Sequence, residues 1–212
     1  MATTRPARLD QDTVLAVAEQ LVAERGWDAL TMTALADELE VRPPSLYRHV
    51  DSLDALRNAL RLRTVVELGD AVRAAVMGRS GVEGLHALTD AYRDYARAHP
   101  VRYLAQALLP GDAASREAGR RVGEAAYAVL ASLGLSADEL PVATAQLAAL
   151  VHGFVTLELQ QTIDWMIDPD AAYHGLVELF AEGLRHRLVP RAELPPGDDG
   201  GGQSLRRVAR GH

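Results

Sequence analysis

The sequence contains no cysteine and no lysine, and these two absences narrow the chemistry that the chain can carry. Without cysteine there are no disulfides and no thiolate ligands or nucleophiles, which fits a reducing cytoplasm. All 22 basic residues are arginines, whose guanidinium groups suit bidentate contact with phosphate or guanine, although a codon bias would produce the same composition. The formal net charge of −7 speaks against a protein that coats nucleic acid by bulk attraction, so we expect any contact with nucleic acid to be local.

The chain also lacks the long apolar runs of secreted and membrane proteins. Its first twenty residues contain no apolar run of signal-peptide type, so nothing favours export and we expect a cytoplasmic location. The most apolar stretch, 142–159, carries Gln146, His152 and Glu158, which makes it a poor membrane span and a better buried helix. We therefore expect a soluble protein with no membrane partner.

Motifs for catalysis and for metal binding are missing as well. Neither a serine elbow nor a glycine-rich phosphate loop occurs. Glu83 and His86 have the Glu-x-x-His spacing of a di-iron ligand pair, but such a site needs a second copy of the motif, which the chain lacks. We therefore expect a protein that is not an enzyme and that holds no metal and no cofactor.

The strongest positive signal is the segment 31–50, which reads as two short helices joined by a three-residue turn at 40–42. This is the spacing of a helix-turn-helix, a motif that places its second helix in a groove of double-stranded DNA. A preceding helix is predicted to begin near Asp12 and to end at Gly26. A threonine cap at Thr31 or Thr33 is predicted for the first helix of the motif, and prolines open the second, which is predicted to be about eight residues long.

The second helix of the motif has a buried side and an outward side. At about 100° per residue, Leu46 and Val50 point toward the preceding helices. The residues on or beside the outward side are Pro44, Ser45, Tyr47, Arg48 and His49. Their polar tips suit hydrogen bonding at a DNA groove. The alternative is that they are simply solvated, because residues 1–63 carry eight arginines against ten acidic side chains and so lack a basic footprint.

Residues 9–60 resemble the amino-terminal domain of the TetR family of bacterial transcriptional regulators. The matching pattern is a helix ending at Gly26, Thr-x-x-x-Leu-Ala at 31–36, and Leu-Tyr-x-His-Val at 46–50 followed by another helix. The resemblance implies a ligand-responsive regulator, of the repressor type, that binds a palindromic DNA operator as a homodimer. It assigns DNA contacts to Thr31, Thr33, Arg42, Pro43, Pro44, Ser45, Tyr47, Arg48 and His49.

The chain departs from that family pattern at three positions. Glu40 stands where the family usually has a glycine, Arg42 where a serine or threonine commonly caps the helix, and Leu53 where a lysine usually contacts phosphate. A left-handed backbone at position 40 would cost up to about 1–2 kcal/mol. The phosphate contact at position 53 is then either absent or transferred to Arg57. These departures sustain an alternative hypothesis, a helical protein that binds a ligand or partner without sequence-specific recognition of DNA.

From Ser52 onward only helical periodicities occur, so the predicted fold is all-α. The predicted organisation is a flexible leader at 1–9, a three-helix helix-turn-helix domain at 10–56, a larger helical-bundle domain for ligand binding and dimerisation at 57–189, and a disordered tail at 190–212. A long helix at 53–77 joins the two folded parts. The last two helices are predicted to form a four-helix seam with a second copy, where Gly153, Gly175 and Gly183 permit close approach.

Residues 91–188 also resemble a ligand-binding carboxy-terminal domain found in part of the TetR family, through Tyr92, Tyr95-Ala96 and the run 150–154. A mostly apolar pocket for a small-molecule effector needs a few polar-tipped side chains. The candidates are Tyr92, Tyr95, Tyr103, Gln106, His152 and Trp165. Each tyrosine could equally be a packing residue, and a lone histidine among apolar residues is more often a hydrogen-bonded core residue than a ligand contact.

Overall fold

A computed structural model describes residues 9–106, 113–163 and 168–188. Every regular element within these residues is helical, which confirms the predicted all-α class. The helices are α1 (Gln11–Arg25), α2 (Met32–Glu38), α3 (Pro43–Leu46), α4 (Leu53–Val76), α5 (Gly81–Ala98), α6 (Pro100–Gln106), α7 (Ala113–Ser132), α8 (Leu140–Leu159) and α9 (Pro169–Leu188). A 3₁₀ turn at Trp27–Ala29 connects α1 to α2. The predicted tail and nearly all of the predicted leader lie outside the described residues.

Side-chain caps fix where the helices of the amino-terminal part begin. Asp10, Thr31 and Ser52 each accept a hydrogen bond from the backbone N–H three residues later, at 2.8, 3.1 and 3.0 Å. Such a bond satisfies a backbone donor that the helix itself leaves unpaired. The predicted cap at Ser52 is confirmed, and of the two threonines proposed for α2 it is Thr31 that caps the helix.

Two hydrophobic cores share the long helix α4. Leu56 and Leu60 pack into a first core with α1, α2 and α3, whereas Leu68 and Val72 pack into a second core with α5, α7, α8 and α9. The predicted domain boundary at 56/57 lies within this helix, ahead of Leu60. Because α4 is continuous through both cores, the orientation of the first core follows the orientation of α4.

Helix α8 is apolar on more than its buried side, as its sequence predicts. The residues Ala143, Leu147, Val151 and Val155 lie at four-residue intervals and are buried in the second core. On the other side of the helix, Leu157 is 44% exposed. By length and composition α8 could cross a membrane, but core helices of soluble proteins meet the same criterion.

Candidate nucleic-acid interface and ligand cavity

The turn between α2 and α3 is a Schellman motif, which sets the direction in which α3 leaves α2. The N–H of Val41 donates to the carbonyl of Ala36 at 2.9 Å, and the N–H of Glu40 donates to the carbonyl of Asp37 at 3.1 Å. Glu40 has a φ of 54°, the left-handed conformation that glycine adopts most easily. The family glycine is thus replaced by glutamate at a position where the backbone conformation does favour glycine.

Helix α3 is shorter than the predicted eight residues. Its α-helical part ends at Leu46, and hydrogen-bonded turns continue the chain to Val50. The N–H of His49 bonds to the carbonyl of Leu46, three residues back, at 2.8 Å, and this bond tightens the last turn.

The predicted division of this segment into a buried and an outward side is confirmed. Leu46 is 0% exposed and Val50 is 7% exposed, whereas Tyr47 is 55% exposed although it is a large aromatic side chain. The residues predicted to contact DNA comprise an exposed group of Thr31, Thr33, Arg42, Pro44, Tyr47 and Arg48, and a partly exposed group of Pro43, Ser45 and His49. All of them are therefore accessible, and their contact with DNA stays a prediction.

Arg57, the alternative phosphate contact, is engaged within the protein. Its Nη2 donates to the carbonyl of Leu30 at 3.3 Å, and its Nη1 lies 3.9 Å from Asp54 Oδ1. The side chain is 26% exposed. Arg57 therefore holds Leu30, the residue before the cap of α2, and helps to fix the position of that helix.

A buried arginine on α6 ties the second core to the amino-terminal helices. Arg102 is 8% exposed, and its guanidinium lies 2.7 Å from Glu19 of α1 and 2.7 Å from Glu67 of α4. Arg63 of α4 contacts the same two carboxylates, at 3.3 and 2.9 Å. Burial by itself would raise the pKa of Glu67, but hydrogen bonds from Arg63 and Tyr95 and the charge of Arg102 outweigh it and lower the pKa.

Sequence reasoning missed this ionic cluster. Glu19, Glu67 and Arg102 are distant in the chain, so no local spacing announces their contact. The sequence shows only that each of these charged residues lies on a helix with an otherwise apolar face. That pattern is too common to identify which residues pair. Tyr95, predicted for the ligand pocket, belongs to this cluster instead, because its hydroxyl donates to Glu67 at 3.0 Å.

A second polar cluster joins Tyr92, Tyr103 and His152. The Tyr103 hydroxyl lies 2.7 Å from His152 Nδ1 and 3.2 Å from the Tyr92 hydroxyl. Tyr103 is 0% exposed, and burial raises its pKa, so the phenol is neutral at physiological pH. Burial lowers the pKa of His152, which favours a neutral imidazole. The structure therefore brings three of the predicted pocket residues into one uncharged, hydrogen-bonded group.

Beside this cluster a cavity of about 350 Å³, open to solvent on one side, lies between α5, α7 and α8. Its lining consists of Leu88, Tyr92, Gly119, Val122, Gly123, Ala126, Tyr127, Pro141, Thr144, Ala145, Leu147, Ala148 and Val151. Among the predicted pocket residues Tyr92 is in this lining, whereas Tyr103 and His152 are not. Trp165 and the side chain of Gln106 lie outside the described residues.

The carboxylates and imidazoles of the described residues form no group of three or more that could hold a metal ion. Glu83 and His86, whose spacing resembles a di-iron ligand pair, contact other residues. Arg79 contacts Glu83 at 3.4 Å, and His86 Nε2 lies 2.7 Å from Glu178 of α9. Glu83 thus contacts the segment before α5, and His86 joins α5 to α9.

Two family profiles match the chain, one over the first core and one over most of the second. The profile of bacterial regulatory proteins of the tetR family matches residues 14–60. The profile of the tetracyclin repressor-like carboxy-terminal domain matches residues 85–180.

Relatives match over most of their length. An uncharacterized HTH-type transcriptional regulator of Mycobacterium tuberculosis is 37% identical over 192 residues, which cover 89% of this chain and 87% of the relative. The class A tetracycline repressor protein from transposon 1721 of Escherichia coli is 30% identical, with 91% of this chain and 99% of the relative covered. A solved structure of a Rhodococcus sp. RHA1 protein of unknown function superimposes with a TM-score of 0.74 at 22% identity, covering 86% of this chain and 98% of that one.

Proposed function

Because the chain belongs to the TetR family of bacterial regulatory proteins, we propose that it is a homodimeric repressor that binds a palindromic operator and is released by a small apolar effector. As a member of this family it is a ligand-responsive, DNA-binding transcriptional regulator. The nature of the control, the operator symmetry, the dimer and the cytoplasmic site of action belong to the proposal.

The observation that carries the DNA-binding part is the division of residues 46–50 between core and solvent. Leu46 and Val50 anchor the segment in the first core, and this leaves Tyr47 and Arg48 exposed. We assign Arg48 to base edges or phosphates of the major groove, because its guanidinium presents several hydrogen-bond donors. We assign Tyr47 to a phosphate oxygen, because its side chain has a single hydroxyl donor. Thr31 and Arg42 would add backbone contacts from the start of α2 and of α3.

The proposed dimer interface is the outer side of α8 and α9. Val142 and Leu157 of α8 and Leu179 of α9 are 54, 44 and 68% exposed. A Cβ added to Gly153, Gly175 or Gly183 would meet no atom within 4 Å in this chain, so the glycines leave open space along the same helices. Exposed apolar side chains beside small residues favour close packing of helices from a second copy.

The proposed switch places the effector in the cavity between α5, α7 and α8. Tyr92 of its lining contacts Tyr103 of α6, and the adjacent residue Arg102 contacts α1 and α4. An effector that changes the position of α6 would therefore change the position of the amino-terminal helices. Release from DNA requires that the effector binds the DNA-incompetent arrangement more tightly, because equal affinity for both arrangements shifts nothing.

Footprinting of the purified protein on the DNA upstream of its own coding sequence tests the proposal. We expect a protected palindrome whose half-sites are centred about 34–36 Å apart, or a multiple of that spacing. Arg48→Ala should abolish protection, whereas Arg185→Ala, which removes an exposed arginine of α9, should leave it intact. If the purified protein binds a ligand but protects no DNA at any salt concentration, the result would favour the alternative of a protein that has lost DNA recognition.

A further inference from the structure

One buried guanidinium joins three helices of the second core. Arg93 of α5 is 4% exposed, and its Nε and Nη2 donate to the two carboxylate oxygens of Glu158, at 3.0 and 2.6 Å. Its Nη2 also lies 2.9 Å from Asp170 Oδ1. Glu158 lies near the end of α8 and Asp170 near the start of α9. Arg93 therefore holds the neighbouring ends of these two helices against α5.

Two aromatic rings enclose the same guanidinium. The Arg93 Cζ lies 4.5 Å from the ring centre of Tyr173 on α9 and 5.7 Å from that of Phe154 on α8. Both distances are within the range of a favourable cation–π contact. Tyr173 is 0% exposed, and its hydroxyl donates to the carbonyl of Thr89 at 2.6 Å, which binds α9 to α5 a second time. The position of the guanidinium is thus determined from several sides.

A second arginine contacts the same two carboxylates from the surface. Arg97, one turn later in α5, lies 2.6 Å from Glu158 and 2.8 Å from Asp170, but its side chain is 41% exposed. Burial by itself would raise the pKa of Glu158, but hydrogen bonds from Arg93 and Arg97 outweigh it and lower the pKa. Glu158 therefore keeps an ionic partner when either arginine is replaced.

The opposite ends of α8 and α9 are packed less closely. A cavity of about 190 Å³ lies between the start of α8 and the end of α9, and its lining includes Val142, Leu184 and Arg187. At the Arg93 end the rings of Phe154 and Tyr173 are in contact, with their centres 5.2 Å apart. The angle between the two helices therefore depends strongly on the contacts around Arg93.

An arginine at such a place contributes orientation more than stability. A buried ion pair is often no more stabilising than well-packed apolar side chains, because both ions lose their hydration. Its geometry is strict, however, since the planar guanidinium bonds a carboxylate through two parallel hydrogen bonds. The pair of Arg93 and Glu158 thus fixes how α8 is oriented on α5.

We propose that Arg93 is a positioning residue for the association of two copies of the chain. It fixes the angle between α8 and α9 at which their exposed apolar sides match those of a second copy. The inference rests on the proposed function in taking these sides as the dimer interface. Because Arg93 is 4% exposed in the single chain, it offers a second copy almost no surface. Any effect of this residue on association must then act through the two helices.

Arg93→Met tests the proposal in the full-length protein without DNA. If about a third of the chains then hold the angle needed for association, the dimer dissociation constant rises about tenfold, because both copies must hold it. Sedimentation velocity over a concentration series measures this constant. Arg97→Met is the matched control, because it removes an arginine from the same carboxylates at the surface. It should change the constant by less than about twofold.

A double variant separates positioning from stability. Arg93→Met combined with Glu158→Met replaces the buried ion pair by apolar side chains and leaves Arg97 paired with Asp170 at the surface. We expect its midpoint of thermal unfolding to lie within about 3 °C of that of the unmodified protein. Its dimer dissociation constant should stay raised about tenfold, because methionine does not impose the geometry of the ion pair.

Arg93→Lys supplies a variant that keeps the charge. Lysine reaches the carboxylates as a point charge without the planar pair of donors, so we expect a dissociation constant raised about threefold or more. This variant also gives the reading if Arg93→Met does not fold.

The outcomes distinguish the inference from the function on which it rests. Recovery of dimer affinity together with stability in the double variant would overturn the inference, because stability alone would then explain the loss. Equal dissociation constants in the unmodified protein and in both Arg93→Met and Arg93→Lys would overturn it as well, and the proposed dimer would stand. An unmodified protein that sediments as a monomer would overturn the proposed dimer itself and the inference with it.

Discussion

Arg102 Nη1 lies 2.7 Å from Glu19 Oε1, and this contact joins residues that are 83 positions apart in the chain. The next residue of α6, Tyr103, reaches in another direction to His152 and Tyr92. Two consecutive side chains of a seven-residue helix thus contact the amino-terminal helix α1 and the polar cluster beside the cavity. Because packed interiors deform in discrete steps rather than continuously, α6 is the element through which a change at the cavity would reach α1.

Arg102→Met tests how much this contact contributes to the stability of the fold. The substitution leaves the partly buried carboxylates of Glu19 and Glu67 with Arg63 and, for Glu67, the Tyr95 hydroxyl, so we expect the free energy of unfolding to fall by about 2 kcal/mol. Chemical denaturation with urea measures it. Arg73→Met is the matched control, because Arg73 is 52% exposed and its ion pair among the described residues is with Asp70 at the surface. A loss of less than about 1 kcal/mol in Arg102→Met would show that the cluster does not hold the two parts together.

Glu40→Gly tests the left-handed residue of the turn. The backbone at Glu40 has a φ of 54°, so glycine should relieve strain and raise the free energy of unfolding by about 1 kcal/mol. It also removes a negative charge beside the predicted DNA surface, so operator affinity should rise, and more at low salt than at high salt.

The chain offers a matched control for that variant in Gln161, whose φ is 55°. Gln161→Gly should stabilise the protein by a similar amount and leave operator affinity unchanged, because position 161 follows α8 and lies outside the helix-turn-helix. Thermal melts and a fluorescence titration with the operator would measure both effects. Equal gains in affinity for the two variants would mean that general stability, and not the charge at position 40, limits DNA binding.

Local features of the fold were predictable from the sequence because their causes are local. Thr31 and Ser52 mark helix starts because their hydroxyls cap backbone donors three residues later, and the apolar stretch 142–159 marks a helix that packs in the core. The burial of Leu46 and Val50 was predictable from helical geometry in the same way. The length of α3 was overestimated, because periodicity does not reveal that the last turn is tightened.

Features that depend on contacts between distant residues were not predictable. Tyr95 and Tyr103 have similar sequence surroundings, yet Tyr95 joins the ionic cluster and Tyr103 joins the group beside the cavity. The packing of α5 and α6 on α4 and α8 determines which cluster each tyrosine joins. The residue pattern of a single helix does not contain that information. The same holds for Arg102, whose partners lie on α1 and α4.

Leu179→Glu tests the proposed interface of α8 and α9. Leu179 is 68% exposed in one chain, so a charge there costs the isolated chain little, whereas burial of that charge against a second copy would oppose association. We expect a shift from dimer to monomer in sedimentation velocity at micromolar concentration. Met77→Glu is the control, because Met77 is 79% exposed at the end of α4, outside the proposed seam. Dimers that persist in Leu179→Glu would place the interface elsewhere.

His152→Asn tests the neutral polar cluster through the pH dependence of stability. Burial lowers the pKa of His152 below its ordinary value of 6.5, so between 6.5 and the folded pKa the unfolded chain binds the extra proton. The stability contributed by this group is therefore present above pH 6.5 and is lost as the pH falls through the folded pKa, by at most about 1.4 kcal/mol per pH unit.

Asparagine keeps a hydrogen-bonding group near Tyr103 but does not titrate, so the variant should show a flatter fall of stability between pH 7 and pH 5. The pKa of His99 is also lowered, by burial and by the charge of Arg102, so part of the slope should remain and should disappear in the double variant with His99→Asn. Glu67 and Glu158 do not interfere, because their lowered pKa values place their loss of stability below the ordinary glutamate pKa of 4.5. Urea unfolding at half-unit steps of pH measures the slope. An unchanged slope in His152→Asn would mean that the imidazole is not held neutral by burial.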